Sequence, residues 1–176
     1  MSLNNITFNL NGQDVSVAVE SGNSLLNVLR DQLNVTSLKS SCLMGECGAC
    51  TIIIDGKAMN ACLVLAPTVA GKKVETVESL GDETHLHPIQ KAFKEIGAFQ
   101  CGFCTPGFIM STKALLDSNP NPTREEVREA LSGNLCRCTG YVKPIDGVLK
   151  AAADMAGGSD KVDAIMYAAD AMKKEA

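Results

Sequence analysis

The chain has 176 residues, 45% of them apolar, and a formal net charge of −4. An acidic balance with no tryptophan and only two tyrosines argues against nucleic acid or an anionic lipid surface as partner, since both demand a basic field and stacking platforms favour aromatic faces. The length suits one large domain or two small ones with cores of their own.

In chain order, Ile6, Phe8 and Leu10 alternate with polar neighbours, Asn11-Gly12 offers a tight turn, and Val15, Val17 and Val19 alternate again. This pattern predicts a hairpin. Ser24 then precedes Leu25, Leu26, Val28, Leu29 and Leu33, an apolar stripe at helical spacing closed by Asn34 and explained by ordinary core packing. A loop carrying Cys42, Cys47 and Cys50 leads into Thr51–Ile54, which reads as a buried strand. Asp55-Gly56 turns the chain back through residues 57–61, and that return brings Cys62 toward Cys50. Val74, Thr76 and Val77 form a last short strand. The apolar run from Ala61 to Val69 is broken by Pro67 and too short to cross a bilayer.

Beyond Gly81-Asp82-Glu83 the pattern turns helical. Helices are predicted from Pro88 to Ile96, from Pro106 to Leu116, from Thr123 to about Leu131 and from Ile145 to Met155. Thr123-Arg-Glu-Glu126 is a capping box, and Asn119-Pro-Asn-Pro122 stops the helix before it. His85 and His87, without a carboxylate motif, read as a loop or helix start. After a Gly157-Gly158-Ser159 joint, Val162, Ile165, Met166, Ala169 and Met172 make an apolar stripe, read as docking on its own domain or on a partner. The predicted domains are residues 1–79, 80–158 and a helical extension, 159–176.

The chemistry lies in the eight cysteines, which sort into two quartets with none left over: Cys42, Cys47, Cys50 and Cys62, then Cys101, Cys104, Cys136 and Cys138. The spacing C-x4-C-x2-C with a fourth cysteine further on is the plant-type [2Fe–2S] pattern. Disulfide frameworks belong to short secreted chains that lack a core, and no signal segment is visible at the start of this one. A cytoplasmic location is therefore expected. Zinc is the stronger alternative, because tetrathiolate sites suit either metal; Cys136-x-Cys138 is tighter than the usual zinc knuckle. Gly45, Gly48 and Gly102 would let amides approach sulfur closely. Glu46 is expected to face solvent, and Arg137 could offset charge or pair with a partner. No Gly-x-Gly-x-x-Gly or P-loop motif is present, and no catalytic site is apparent in the chain itself.

Three motifs together, Cys42-x2-Gly45-x-Cys47-Gly48-Ala49-Cys50-Thr51, Gln100-Cys101-Gly102-Phe103-Cys104-Thr105-Pro106-Gly107 and Gly133-Asn134-Leu135-Cys136-Arg137-Cys138-Thr139-Gly140-Tyr141, resemble the iron–sulfur subunit of the molybdenum hydroxylases, the xanthine dehydrogenase family. The resemblance spans roughly Ile6 to Ala153. It implies an α+β chain, with a ferredoxin-like β-grasp domain followed by a four-helix domain, each holding one [2Fe–2S] cluster. It implies a large molybdopterin-binding partner subunit near the second quartet, with Gln100 and Cys138 against the pterin. The first quartet would face an FAD-binding subunit or an external acceptor, in a heterotrimer that can pair into a dimer. Pro144 departs from many members, harmlessly at a helix's first turn. The rival reading is a free-standing two-cluster ferredoxin serving several enzymes. A zinc-stabilised interaction module would be colourless and redox-silent.

Overall fold

The alternating N-terminal segment forms β1 (Leu3–Leu10) and β2 (Gln13–Glu20), antiparallel with Ile6 opposite Val17 and Phe8 opposite Val15. Asn11 and Gly12 both take positive φ, 52° and 87°, the geometry that matches the twist of a two-residue hairpin turn. This is a computed structural model, and it describes residues 3–82 and 84–157. The predicted extension beyond Gly157, with its apolar stripe, lies outside the described residues.

A second hairpin, β3 (Thr51–Ile54) and β4 (Lys57–Asn60), turns at Asp55-Gly56, again with both φ positive. β5 (Lys73–Glu75) lies parallel to β1 and antiparallel to β3, which places it between the hairpins in the order β2-β1-β5-β3-β4. All four residues of β3 are buried, as expected for a strand with neighbours on both edges, whereas edge strand β4 is largely exposed. Ile6, Phe8, Leu10, Ile52, Ile54 and Val74 supply the sheet's side of the first core.

The stripe after Ser24 differs from expectation. One α-helical turn, α1 (Leu25–Asn27), widens into a π-helical segment (Val28–Gln32) whose closing bond runs from the Leu33 amide to the Val28 carbonyl. Both ends are tied elsewhere: the Leu25 and Leu26 amides donate to the carbonyls of Val64 and Ala61, and the Arg30 guanidinium donates to those of Thr36 and Leu38. Apolar spacing over so few residues does not separate a π turn from an α turn. Leu25, Leu26, Val28 and Leu29 all reach the core.

The last strand is also shorter than predicted. Thr76 is fully buried, and its amide donates to Asn11 Oδ1 at 2.8 Å, so its hydrogen bonding leaves the ladder. The chain then tightens into a 3-10 turn (Val77–Ser79), and Val77 packs against the second core.

That core belongs to α2 (Pro88–Ile96), α3 (Thr105–Ser118), α4 (Arg124–Leu131) and α5 (Val142–Met155). Ile89, Phe93, Phe108, Val127, Leu131 and Val148 meet there. Gly97 ends α2 in the left-handed conformation. Thr123 and Glu126 complete the capping box of α4. α3 packs against α2, α4 and α5 and also against β3, so it joins the two cores. The architecture is α+β, with a mixed sheet. No described helix is long and apolar enough to cross a membrane.

His87 is the N-cap of α2: its Nδ1 accepts the Ile89 amide at 3.3 Å, while Gln90 Oε1 accepts the His87 amide at 2.9 Å. Burial, then the nearby Lys113 ammonium, hold the imidazole below its ordinary value of 6.5, with Asp117 opposing. Protonation would also remove the capping lone pair. Because the folded state favours the neutral ring, its contribution to stability is complete above that ordinary value and declines as pH falls through it. His87→Asn keeps a capping oxygen without the titration. Unfolding followed at about pH 7.5 and about pH 5.5 should show a smaller loss in the variant than in the parent chain.

Candidate metal centres

The first quartet is built by the loop between the π-helical segment and β3, closed by the β3–β4 hairpin. The pairing of Thr51 with Asn60 returns the chain, and the Ala61 amide donates to the Cys50 carbonyl at 3.1 Å, which sets Cys62 beside Cys50. Cys42 lies beside Cys47, and its sulfur receives the amides of Met44, Cys47 and Glu46. Those amides lower the Cys42 thiol to about 6. Burial pushes Cys50, 3% exposed, up to about 12, with Cys62 and Cys47 adding to the rise. A thiol held so high would have to give up its proton to bind a metal.

The second quartet comes from the loop before α3 and the loop between α4 and α5. Cys101 and Cys138 sulfurs stand 3.7 Å apart, and Cys104 contacts Cys136. Burial, followed by the neighbouring Cys136, pushes Cys104 up to about 12. Burial is also the largest influence on Cys136 and acts upward, but the Thr139 hydroxyl, 3.2 Å from its sulfur, and the Thr139 and Cys138 amides outweigh it, so this thiol lies below its ordinary value. The hydrogen bond that the Cys138 thiol donates to the Cys101 sulfur leads the causes that raise Cys138. Cys101 and Cys138 are exposed, and Gln100 Nε2 donates to the Cys138 carbonyl at 3.0 Å, so the two residues expected to share a surface do meet. Arg137 and Glu46 are both exposed.

All eight cysteines are free thiols, and the fold brings together the same fours that the sequence separates. Among the described residues, no three His, Cys, Asp or Glu side chains converge on a single ion-sized point. A binuclear centre requires no such point, because each iron takes only two protein thiolates. Soft, all-sulfur donor sets with amides and a hydroxyl directed at the sulfurs fit an anionic iron–sulfur cluster. Gly45, Gly48 and Gly102 all have positive φ (80°, 66° and 82°), and the first two are also places of close approach. A Cβ on Gly48 would stand 2.4 Å from the Gly133 carbonyl, and one on Gly45 would enter the Leu63 side chain.

Three residues beside the cysteines have roles that the sequence pattern does not announce. The Tyr141 hydroxyl accepts the Cys136 amide at 2.8 Å, from a residue held at φ 69° and with its ring edge-on to Phe108. A non-glycine residue in that region costs on the order of 1–3 kcal/mol, which the surroundings must offset. Thr139 reaches Cys136, and Asn134 joins the two cysteine loops. The signal available is position: each lies within five residues of a candidate ligand, in one of the three cysteine motifs.

Comparison with known proteins gives matches over both halves. Residues 8–76 match the model of a 2Fe-2S iron-sulfur cluster binding domain, and residues 76–149 match that of a [2Fe-2S] binding domain. The nicotine 6-hydroxylase small subunit of Paenarthrobacter nicotinovorans is 51% identical over 146 residues, 83% of this chain and 88% of that subunit. Quinoline 2-oxidoreductase from Pseudomonas putida 86 contains a chain 42% identical with a TM-score of 0.82, covering 88% of this chain and 98% of that one. Aldehyde oxidoreductase from Desulfovibrio desulfuricans ATCC 27774 is 46% identical with a TM-score of 0.86 over 90% of this chain, which spans 18% of that longer polypeptide.

Proposed function

Because the chain belongs to the iron–sulfur subunits of the molybdenum hydroxylases, the xanthine dehydrogenase family, we propose that Cys42, Cys47, Cys50 and Cys62 hold one of its [2Fe–2S] clusters and Cys101, Cys104, Cys136 and Cys138 the other. The chain is the electron-transfer subunit of a multi-subunit oxidoreductase and partners a large molybdopterin-binding subunit. The clusters supply one-electron carriers when bound. The chain's own residues set their surroundings. Amides at Cys42 and the Thr139 hydroxyl at Cys136 stabilise thiolate charge, and burial of Cys50 and Cys104 keeps water from part of each centre.

The grouping of eight free cysteines into two contacting fours carries this ligand assignment. We read residues 1–79 as a ferredoxin-like β-grasp domain and 80–158 as a four-helix domain. Gln100 and Cys138 face the pterin in this reading, supported by their mutual hydrogen bond and by exposed Phe99, Phe103 and Leu135 nearby in sequence, apolar side chains suited to a partner's surface. Around the first quartet, exposed Leu43, Met44 and Leu63 suit a second partner, either an FAD-binding subunit or an external acceptor. We read the whole as a heterotrimer in the cytoplasm. Anaerobic purification of the complex tests it: about four irons and four acid-labile sulfides per chain are expected, two of each per cluster. Zinc in their place, or a chain that copurifies with no larger subunit at high salt, would overturn the assignment.

A further inference from the structure

Resting on that ligand assignment, we propose that Asn134 is a positioning residue for electron exchange between the two centres. The Leu135 amide donates to the Cys47 carbonyl at 2.9 Å. Cys47 belongs to the first quartet, and Leu135 directly precedes Cys136 of the second. A route from one sulfur to the other therefore runs along covalent bonds interrupted by a single hydrogen bond, with no jump through space. Along it one cluster is oxidised as the other is reduced, with no bond made and no proton moved.

Asn134 holds that contact closed from both sides. It is 3% exposed, and its Nδ2 donates to the Gly48 carbonyl at 3.0 Å and lies 3.4 Å from Thr51 Oγ1. Its Oδ1 accepts the Ser111 hydroxyl at 2.7 Å, which fixes the amide's orientation from α3. The side chain thus grips the residue after Cys47, and the residue following Asn134 presents the bridging amide. Leu135 contributes little to the grip through its own side chain, which is 56% exposed. Glycines at 48 and 107 make the approach possible: a Cβ at Gly48 would stand 2.5 Å from Asn134 Nδ2, and one at Gly107 2.2 Å from the Gly48 carbonyl. Coupling across a hydrogen bond weakens as the bond lengthens, so a small separation of the loops acts directly on the transfer.

The test is Asn134→Leu in the purified complex with its partner subunits. The substitution is comparable in size, and the Gly48 carbonyl keeps the Thr51 amide and hydroxyl as donors, so the one buried group left without its partner is the Ser111 hydroxyl. Iron and sulfide content should stay at the parent level with both reduced signals present. The magnetic splitting between the two reduced clusters should shrink, and inter-cluster transfer should slow, because the bridging hydrogen bond lengthens as the loops part. Val127→Ala, in the buried face of α4, is the control for lowered stability and should leave the splitting unmoved. Full clusters with parental splitting and rate in Asn134→Leu would overturn this proposal alone. Absence of iron–sulfur clusters from the parent complex would overturn the ligand assignment and the proposal with it. Should Asn134→Leu not assemble, Ser111→Ala, which frees only the orienting hydroxyl, should reduce the splitting in part; an unchanged splitting there also overturns the proposal.

Discussion

Cys101→Ser is expected to remove one of the two reduced iron–sulfur signals and to leave the other as it was. Cys101 contributes to a quartet that shares no residue with the first, and its sulfur stands 3.7 Å from that of Cys138. Serine keeps the shape but exchanges a soft thiolate for a hard, far more basic hydroxyl, a poor ligand for an iron–sulfur centre. Cys42, Cys47, Cys50 and Cys62 sit in a separate loop and hairpin, where the Cys42 and Cys50 environments are set by neighbours within that quartet and its own loop. The signal of the first centre should therefore survive, while electron delivery through the chain falls to background. Paramagnetic resonance of the reduced complex decides the matter, and two intact signals would contradict the ligand assignment.

Gly107→Ala should destabilise the protein, against the usual sign. Alanine within a helix ordinarily gains about 0.5–1 kcal/mol over glycine. Gly107 lies within α3 with no positive φ, so the backbone raises no objection. The obstacle is the loop beyond it, where a Cβ would meet the Gly48 carbonyl oxygen at 2.2 Å and Asn134 Nδ2 at 3.1 Å. That carbonyl cannot retreat freely, because the Thr51 amide, the Thr51 hydroxyl and the Asn134 amide all hold it. Overpacking of this kind costs about 1–3 kcal/mol, and a chain of this size loses about 2–4 °C of apparent Tm per kcal/mol. Gly133→Ala, with open space and no positive φ, is the matched control and should stay within about 0.5 kcal/mol of the parent. Gly48 lies between Cys47 and Cys50, so Gly107→Ala should also shift the signal of the first centre. Thermal unfolding and resonance spectra of the two variants provide both readouts.

These two outcomes depend on different kinds of information in the chain. Cysteine spacing, the Asn11-Gly12 and Asp55-Gly56 turns, the Thr123 capping box and the helix stop at Gly97 are legible in the sequence because each acts over a few residues, through φ preference, side-chain reach or ligand separation. Those signals were enough to separate the quartets and to divide strands from helices. Packing between distant segments decided the rest. β5 enters the sheet between β1 and β3, the turn that opens as α1 widens into a π turn with its first amides bonded to the distant carbonyls of Val64 and Ala61, and Thr76 leaves its strand to bond Asn11. The meeting of Asn134 with Gly48 across 86 positions is the clearest case, since nothing within reach of either residue along the chain announces the other. Local chemistry grouped the eight cysteines; only the folded contact between α3, the loop after α4 and the first cysteine loop sets how near the two groups stand.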